Sequence, residues 1–196
     1  MSWLTRLGFV APAAAQADDG ALLARLAAGD ADALALLYRR ESGSVYRYAL
    51  ALAGDEAAAL DAVQEAFAQL LRGPQGYQPG RGSLGAYLAG MARHQLLSQW
   101  RDARRHVPLD DSFDDAANPM PASDARLAHA QQHDGLWAAI RRLSWPQREA
   151  IALVDLQERS YEEAAAIAGI GVDVLRTRLH RARQRLAELL TVGERP

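Results

Sequence analysis

The chain contains no cysteine. That excludes a disulfide framework, a thiolate metal site and a thiol nucleophile. It contains no lysine either: all 22 residues counted as lysine plus arginine are arginine. Arginine is the planar cation that grips phosphate and guanine with two parallel hydrogen bonds, although a GC-rich genome produces the same bias. No apolar run is long enough to cross a bilayer. A glycine-rich phosphate loop, a nucleophile elbow and a zinc-protease motif are all missing. His129 and His133 have the i, i+4 spacing of a metal pair, but the residues between them are Ala130, Gln131 and Gln132, so the glutamate base is lacking. The pattern predicts no metal, no cofactor and no enzymatic activity. The formal net charge is −2, so a surface that binds an anion must be built by segregating charge along the chain.

What is there is helix after helix, with no strand alternation. Residues 1–20 hold Arg6, a short apolar patch from Leu7 to Val10, and Pro12. They imitate a secretory signal, but the patch is short and broken, which predicts a flexible leader instead. Asp18 or Asp19 caps a short helix that ends at Gly29, and Asp30 caps a long one through Leu52. Asp55 caps a third helix through Leu71, with Leu60, Val63, Phe67, Leu70 and Leu71 as its expected buried stripe. A glycine- and proline-rich loop, Gly73 to Gly82, precedes a fourth helix capped by Ser83 and running to about Arg105. Leu84, Leu88 and Met91 line one side of that helix; Arg93, Leu97, Trp100 and Arg104 lie roughly opposite, with Arg101 beside them. Cations interleaved with an aromatic suit a phosphate backbone and an exposed base, and packing of Leu97 and Trp100 on another helix suits the pattern equally.

Residues 107–123 hold three prolines and the pairs Asp110/Asp111 and Asp114/Asp115, with no helical period, and are expected to be a flexible acidic linker. Helices are then predicted from about Asp124 to Leu143 and from Trp145 to Leu156, the second opened by a capping box of Ser144 and Gln147. Ser160 and Glu163 form another such box, and Gly169 and Gly171 bracket a tight turn. The final helix buries Val172, Leu175, Leu179, Ala182, Leu186 and Leu189 on one face. Thr177, His180, Arg181 and Gln184 occupy the other, with Arg176 and Arg178 at its edges. Few carboxylates interrupt this face between Val174 and Ala187. Two helices, a glycine turn and an outer face mixing Arg with Thr, His and Gln fit a helix-turn-helix that reads base edges as well as phosphates.

Tyr161-Glu162-Glu163-Ala164, Gly169-Ile170 and Arg176 to Arg183, with Leu143, Gln147, Arg148, Glu149 and Ala150 upstream, resemble the C-terminal domain of an extracytoplasmic-function (ECF) sigma factor of bacterial RNA polymerase. In the first half, Asp61-x-x-Gln64-Glu65-x-Phe67 is similar to that family's signature on the helix that docks on the polymerase β′ clamp. The likeness runs from about Ala21 to Leu190.

The resemblance implies an all-α protein: two small bundles, at 21–106 and 124–192, with the helix-turn-helix in the second. It implies that Asp61, Gln64 and Glu65 contact core polymerase. It implies that Arg176, Thr177, Arg178, His180, Arg181 and Gln184 read an upstream promoter element. Tyr77, Arg81, Arg93, Trp100, Arg101 and Arg104 would then bind and help melt a downstream one. Expected partners are core polymerase through its β′ clamp helices and β flap, promoter DNA, and an anti-sigma factor; the chain is expected in the cytoplasm, monomeric when free of partners. The chain departs from the family at Gly171, often Pro or Ser, at Val174, often Thr, and at Gly85-Ala86-Tyr87, where Arg-Ala-Trp is common. This last departure keeps open a sigma-like module that binds a regulator without initiating transcription. An ordinary helix-turn-helix regulator is a further alternative, but it would have no use for the Asp61/Gln64/Glu65 face.

Overall fold

A computed structural model describes residues 19–78, 82–104 and 131–192. The expected leader lies outside these residues apart from its last two positions, as do the acidic linker, Arg81 and His129. Among the described residues every regular element is helical: α1 (Asp19–Ala27), α2 (Ala31–Ala53), α3 (Glu56–Arg72), α4 (Leu84–Arg104), α5 (Gln131–Arg141), α6 (Trp145–Ala150), α7 (Tyr161–Ala168) and α8 (Val172–Val192).

The breaks between helices follow local chemistry. The Asp30 carboxylate accepts from the backbone N–H groups of Asp32 and Ala33 at 2.9 and 3.3 Å, satisfying donors that no carbonyl of α2 can reach. Gly54, at φ 70°, closes the other end and donates to the Leu50 carbonyl. Asp55 then caps α3 through Ala58 N–H at 2.9 Å. A short 3-10 turn, Pro74–Gly76, leads to Ser83, whose hydroxyl accepts from Ala86 N–H at the start of α4.

α2, α3 and α4 pack on one another around Leu37, Val45, Tyr48, Leu52, Val63, Leu70, Leu84 and Leu88. The buried stripe of α3 differs from the expected one. It is Ala59, Ala62, Val63, Ala66, Phe67 and Leu70, while Leu60 and Leu71 stand 46% and 52% exposed. Alanines let the neighbouring helices approach closely. Leu60 and Leu71 each follow a buried residue by one position, a rotation of about 100° that carries them out of the core.

The second bundle is α5 to α8, with Leu136, Ile140, Leu143, Leu153, Leu175, Leu179 and Leu186 at its centre. α6 continues without a break into a π segment, Ile151–Leu156, where Gln157 N–H reaches back five residues to the Ala152 carbonyl. Ser160 caps α7 through Glu163 N–H, and Gly169, at φ 69°, ends it in the left-handed conformation.

The two bundles pack against each other. α2 meets α5, α6 and the π segment, and α4 meets α7. Arg148 of α6, fully buried, donates to the Leu52 carbonyl of α2 at 2.6 Å and to the Arg141 and Leu143 carbonyls at 3.0 Å. These acceptors lie at helix C-terminal ends, where unpaired carbonyls carry partial negative charge. Burial, with Arg141 nearby, pulls the Arg148 guanidinium down to about 10.

Candidate polymerase and promoter interfaces

Asp61 and Gln64 are exposed on α3, and Glu65 is half-buried beside them. Glu65 accepts from Gln69 Nε2 at 3.0 Å and from Arg72 at 2.5 Å, and these two donors hold its carboxyl below the usual range. The carboxylate is thereby oriented and kept charged. Sequence reasoning missed the apolar part of this face. Leu60, Gln64, Phe67 and Leu71 share one stripe of the helix, and the Tyr38 ring of α2 packs tilted against Phe67 with centroids 4.8 Å apart. Tyr38, Phe67, Ala68, Leu71 and Leu34 line a shallow hollow of 420 Å³. An acidic edge beside exposed leucines combines charge and apolar surface on one helix face. The i, i+11 spacing of Leu60 and Leu71 around Gln64 was the available signal.

On α8 the sequence-predicted row is presented outward. Arg176, Thr177, His180, Arg181 and Gln184 are exposed, and Arg178 is half-buried. Arg176 lies 5.4 Å from the Tyr161 ring centroid and pairs with Asp173 at 3.3 Å. The Thr177 hydroxyl donates to the Asp173 carbonyl at 3.0 Å. Arg183, one heptad after Arg176 at the edge of the row, forks onto Asp155 at 2.6 and 3.1 Å, tying α8 to the π segment. The positive face is therefore exposed, and its scaffold is held at one edge by this pair.

The residues expected to meet the downstream element are not brought together on one open face. Tyr77 donates to the Gly82 carbonyl at 3.0 Å, and its ring tilts against Tyr87 with centroids 5.7 Å apart. Tyr77, Tyr87, His94, Glu162 and Glu163 help line a cavity of 890 Å³ between this loop, α4 and α7. Arg101 is exposed, and Arg104 is the last residue of α4. Arg93 and Trp100 instead face the second bundle. Arg93 Nε donates to Glu149 at 2.6 Å, and Tyr48 donates to the same oxygen at 2.9 Å. Burial pushes the Glu149 carboxyl up, and Arg93 and Tyr48 offset part of that rise. Trp100 is 6% exposed, with its ring 6.4 Å from that of Trp145. Leu97 is buried with it. Gly85 is buried where α4 passes Glu41 and Arg159; a Cβ there would stand 2.6 Å from the Glu41 carboxylate and 3.4 Å from the Arg159 guanidinium.

A helix-turn-helix with an exposed cationic face in the second bundle, joined to a first bundle with an acidic edge on α3, is the layout of a DNA-binding adaptor class of protein. A family model described as Sigma-70 region 2 matches residues 37–106, and one described as Sigma-70, region 4 matches residues 133–186. The chain is 35% identical over 149 residues to the ECF RNA polymerase sigma factor EcfG of Rhodopseudomonas palustris, covering 76% of this chain and 80% of that protein. It is 30% identical over 174 residues to the ECF sigma factor SigM of Mycobacterium tuberculosis, covering 88% and 84% respectively. Its structure is similar to that of the sigma factor RpoE of Bartonella quintana, solved in complex with the anti-sigma factor NepR, with a TM-score of 0.64, 29% identity, and coverage of 82% of this chain and 97% of that one. The chain belongs to the ECF sigma factor family, and is a transcription initiation factor that directs RNA polymerase to promoters. Among the described residues no helix is long and apolar enough to cross a membrane.

Proposed function

We infer that the first bundle, within 21–106, docks on the β′ clamp helices of core polymerase through Asp61, Gln64 and Glu65, with Leu60 and Leu71 completing the contact. The second bundle, within 124–192, sets α8 in the major groove of the upstream element. Thr177, His180, Arg181 and Gln184 meet base edges and phosphates there, with Arg176 and Arg178 at the margins. Residues 107–123 tether the two, and 1–20 serve as a leader. Tyr77, Arg81, Arg93, Trp100, Arg101 and Arg104 bind the downstream element and help hold it open. RNA synthesis itself belongs to the polymerase, so the chain needs no catalytic group and no cofactor, and it works in the cytoplasm as a monomer until it meets a partner. The apolar hollow of 310 Å³ formed by Leu136, Ile140, Leu156, Leu186 and Leu190 suits the β flap. Since the Bartonella relative is a complex with an anti-sigma factor, a partner of that kind is assigned to this chain too.

The observation that carries the reading is the exposed cationic row on α8, held at one edge by the Arg183–Asp155 fork. In-vitro transcription with core polymerase and a promoter library tests it. Initiation at a selected promoter is the expected result. Core binding without initiation would instead favour a sigma-like module that only sequesters a partner.

A further inference from the structure

The side chains expected to hold the opened downstream strand are already occupied. Where a phosphate would pair with Arg93, the Glu149 carboxylate does so at 2.6 Å; where a base would stack on Trp100, the Trp145 indole lies 6.4 Å away. Both substitutes come from adjoining positions on one short helix, α6. At the other end of α4, Glu163 of α7 accepts from the Ser83 hydroxyl at 2.5 Å and from Arg159 at 2.8 Å, which sets α7 beside the Tyr77 loop. Gln157 Nε2 donates to the Ser44 carbonyl at 2.7 Å, closing a third point of contact along α2.

The chemistry of this seam is not that of a permanent core. It holds a carboxylate, two guanidinium groups, a phenol and an amide, each with a polar partner across the bundle boundary. A permanent interface is ordinarily apolar at its centre, because desolvating charge often costs more than the pairing returns. Polar groups that are satisfied either by each other or by water suit a contact that opens and closes.

We propose that α6 is a built-in competitor for the opened promoter strand, its Glu149 and Trp145 standing in for a phosphate and a base, so that the free factor rests closed and grips the downstream strand only after the second bundle swings away. This rests on the assignment of Arg93 and Trp100 to the downstream element. It assigns to α6 a regulatory role distinct from reading DNA or contacting polymerase. If one molecule in ten is open at rest, the apparent affinity for the strand falls about tenfold.

The absence of native cysteine permits a direct test in the full-length chain. Ser44→Cys and Gln157→Cys, joined by a short reducible bismaleimide, lock the seam shut; reductant releases it in the same sample. The probe is single-stranded DNA enriched from a random pool on the released protein. The expected result is a loss of strand binding of at least about tenfold on locking, with recovery on release. Equal binding by locked and released protein would overturn the proposal while leaving the strand assignment intact. Arg93→Gln in the released form separates the two ideas. If it binds as well as its parent, or if the pool yields nothing, the strand assignment fails and the proposal falls with it.

Discussion

Gly169 shows how one residue sets the angle of the reading helix. Its φ of 69° lies in the left-handed region, and a Cβ there would meet nothing within 4 Å, so substitution is purely a backbone matter. Gly169→Ala should cost roughly 1 kcal/mol, seen as a lower urea midpoint with an unchanged slope. Arg181 on α8 is exposed and should neutralise about one phosphate. Arg181→Ala should therefore weaken promoter binding and reduce the slope of log K against log salt by about one. Titration of fluorescently labelled promoter over a salt series measures both. Arg178 is half-buried, and its charge reaches Glu149; Arg178→Ala should also weaken binding and flatten the salt slope, by less than Arg181→Ala.

At the scale of the element, α3 carries the docking prediction. Asp61→Ala with Glu65→Ala should reduce association with core polymerase while leaving affinity for isolated promoter DNA unchanged; Leu71→Glu, on the apolar side of the same face, should reduce it as well. Anisotropy of a labelled factor titrated with core polymerase reads both, and undiminished association would remove α3 from the interface. The elements themselves were largely legible in the sequence. Asp30, Asp55, Ser83 and Ser160 are local signals, and each caps the helix it was expected to cap. The arginine row of α8 was legible for the same reason, since helical period alone separates it from Leu175, Leu179 and Leu186. Val63, Phe67 and Leu70 of α3 are buried as their spacing predicts, but that Ala59, Ala62 and Ala66 complete the stripe in place of Leu60 and Leu71 was not legible, because alanine is silent in a hydrophobicity pattern and leucine is loud. Packing of Leu97 and Trp100 on another helix was one of two readings the pattern allowed, and it is the one found; that the other helix belongs to the second bundle and that Arg93 pairs there was not legible, because Glu149 and Trp145 lie 56 and 45 positions away and nothing local reports a contact between bundles.

For the molecule as a whole, the seam between bundles sets stability and its pH dependence. Arg148 donates three hydrogen bonds from a fully buried guanidinium. Arg148→Ala strands those carbonyls and should cost about 3 kcal/mol, measurable by urea denaturation. Glu149 sits in the same seam with its carboxyl raised, burial being the main cause. A carboxyl raised in the folded state binds its proton more tightly there than in the unfolded chain. Its contribution is therefore most favourable below the ordinary glutamate value of 4.5 and declines as pH rises from there through the raised value. Stability measured against pH should show that decline in the parent and lose it in Glu149→Gln.

Gly85 gives the seam a genetic handle. The bare backbone at that position leaves the volume that the Glu41 carboxylate and the Arg159 guanidinium occupy over α4. A side chain there would make the Glu41 carboxylate shift and crowd the Arg159 guanidinium. If α6 competes for the opened strand as proposed, a single nucleotide triplet at this position sets how readily the free factor opens, and Gly85→Arg should bind the enriched single strand more tightly than its parent.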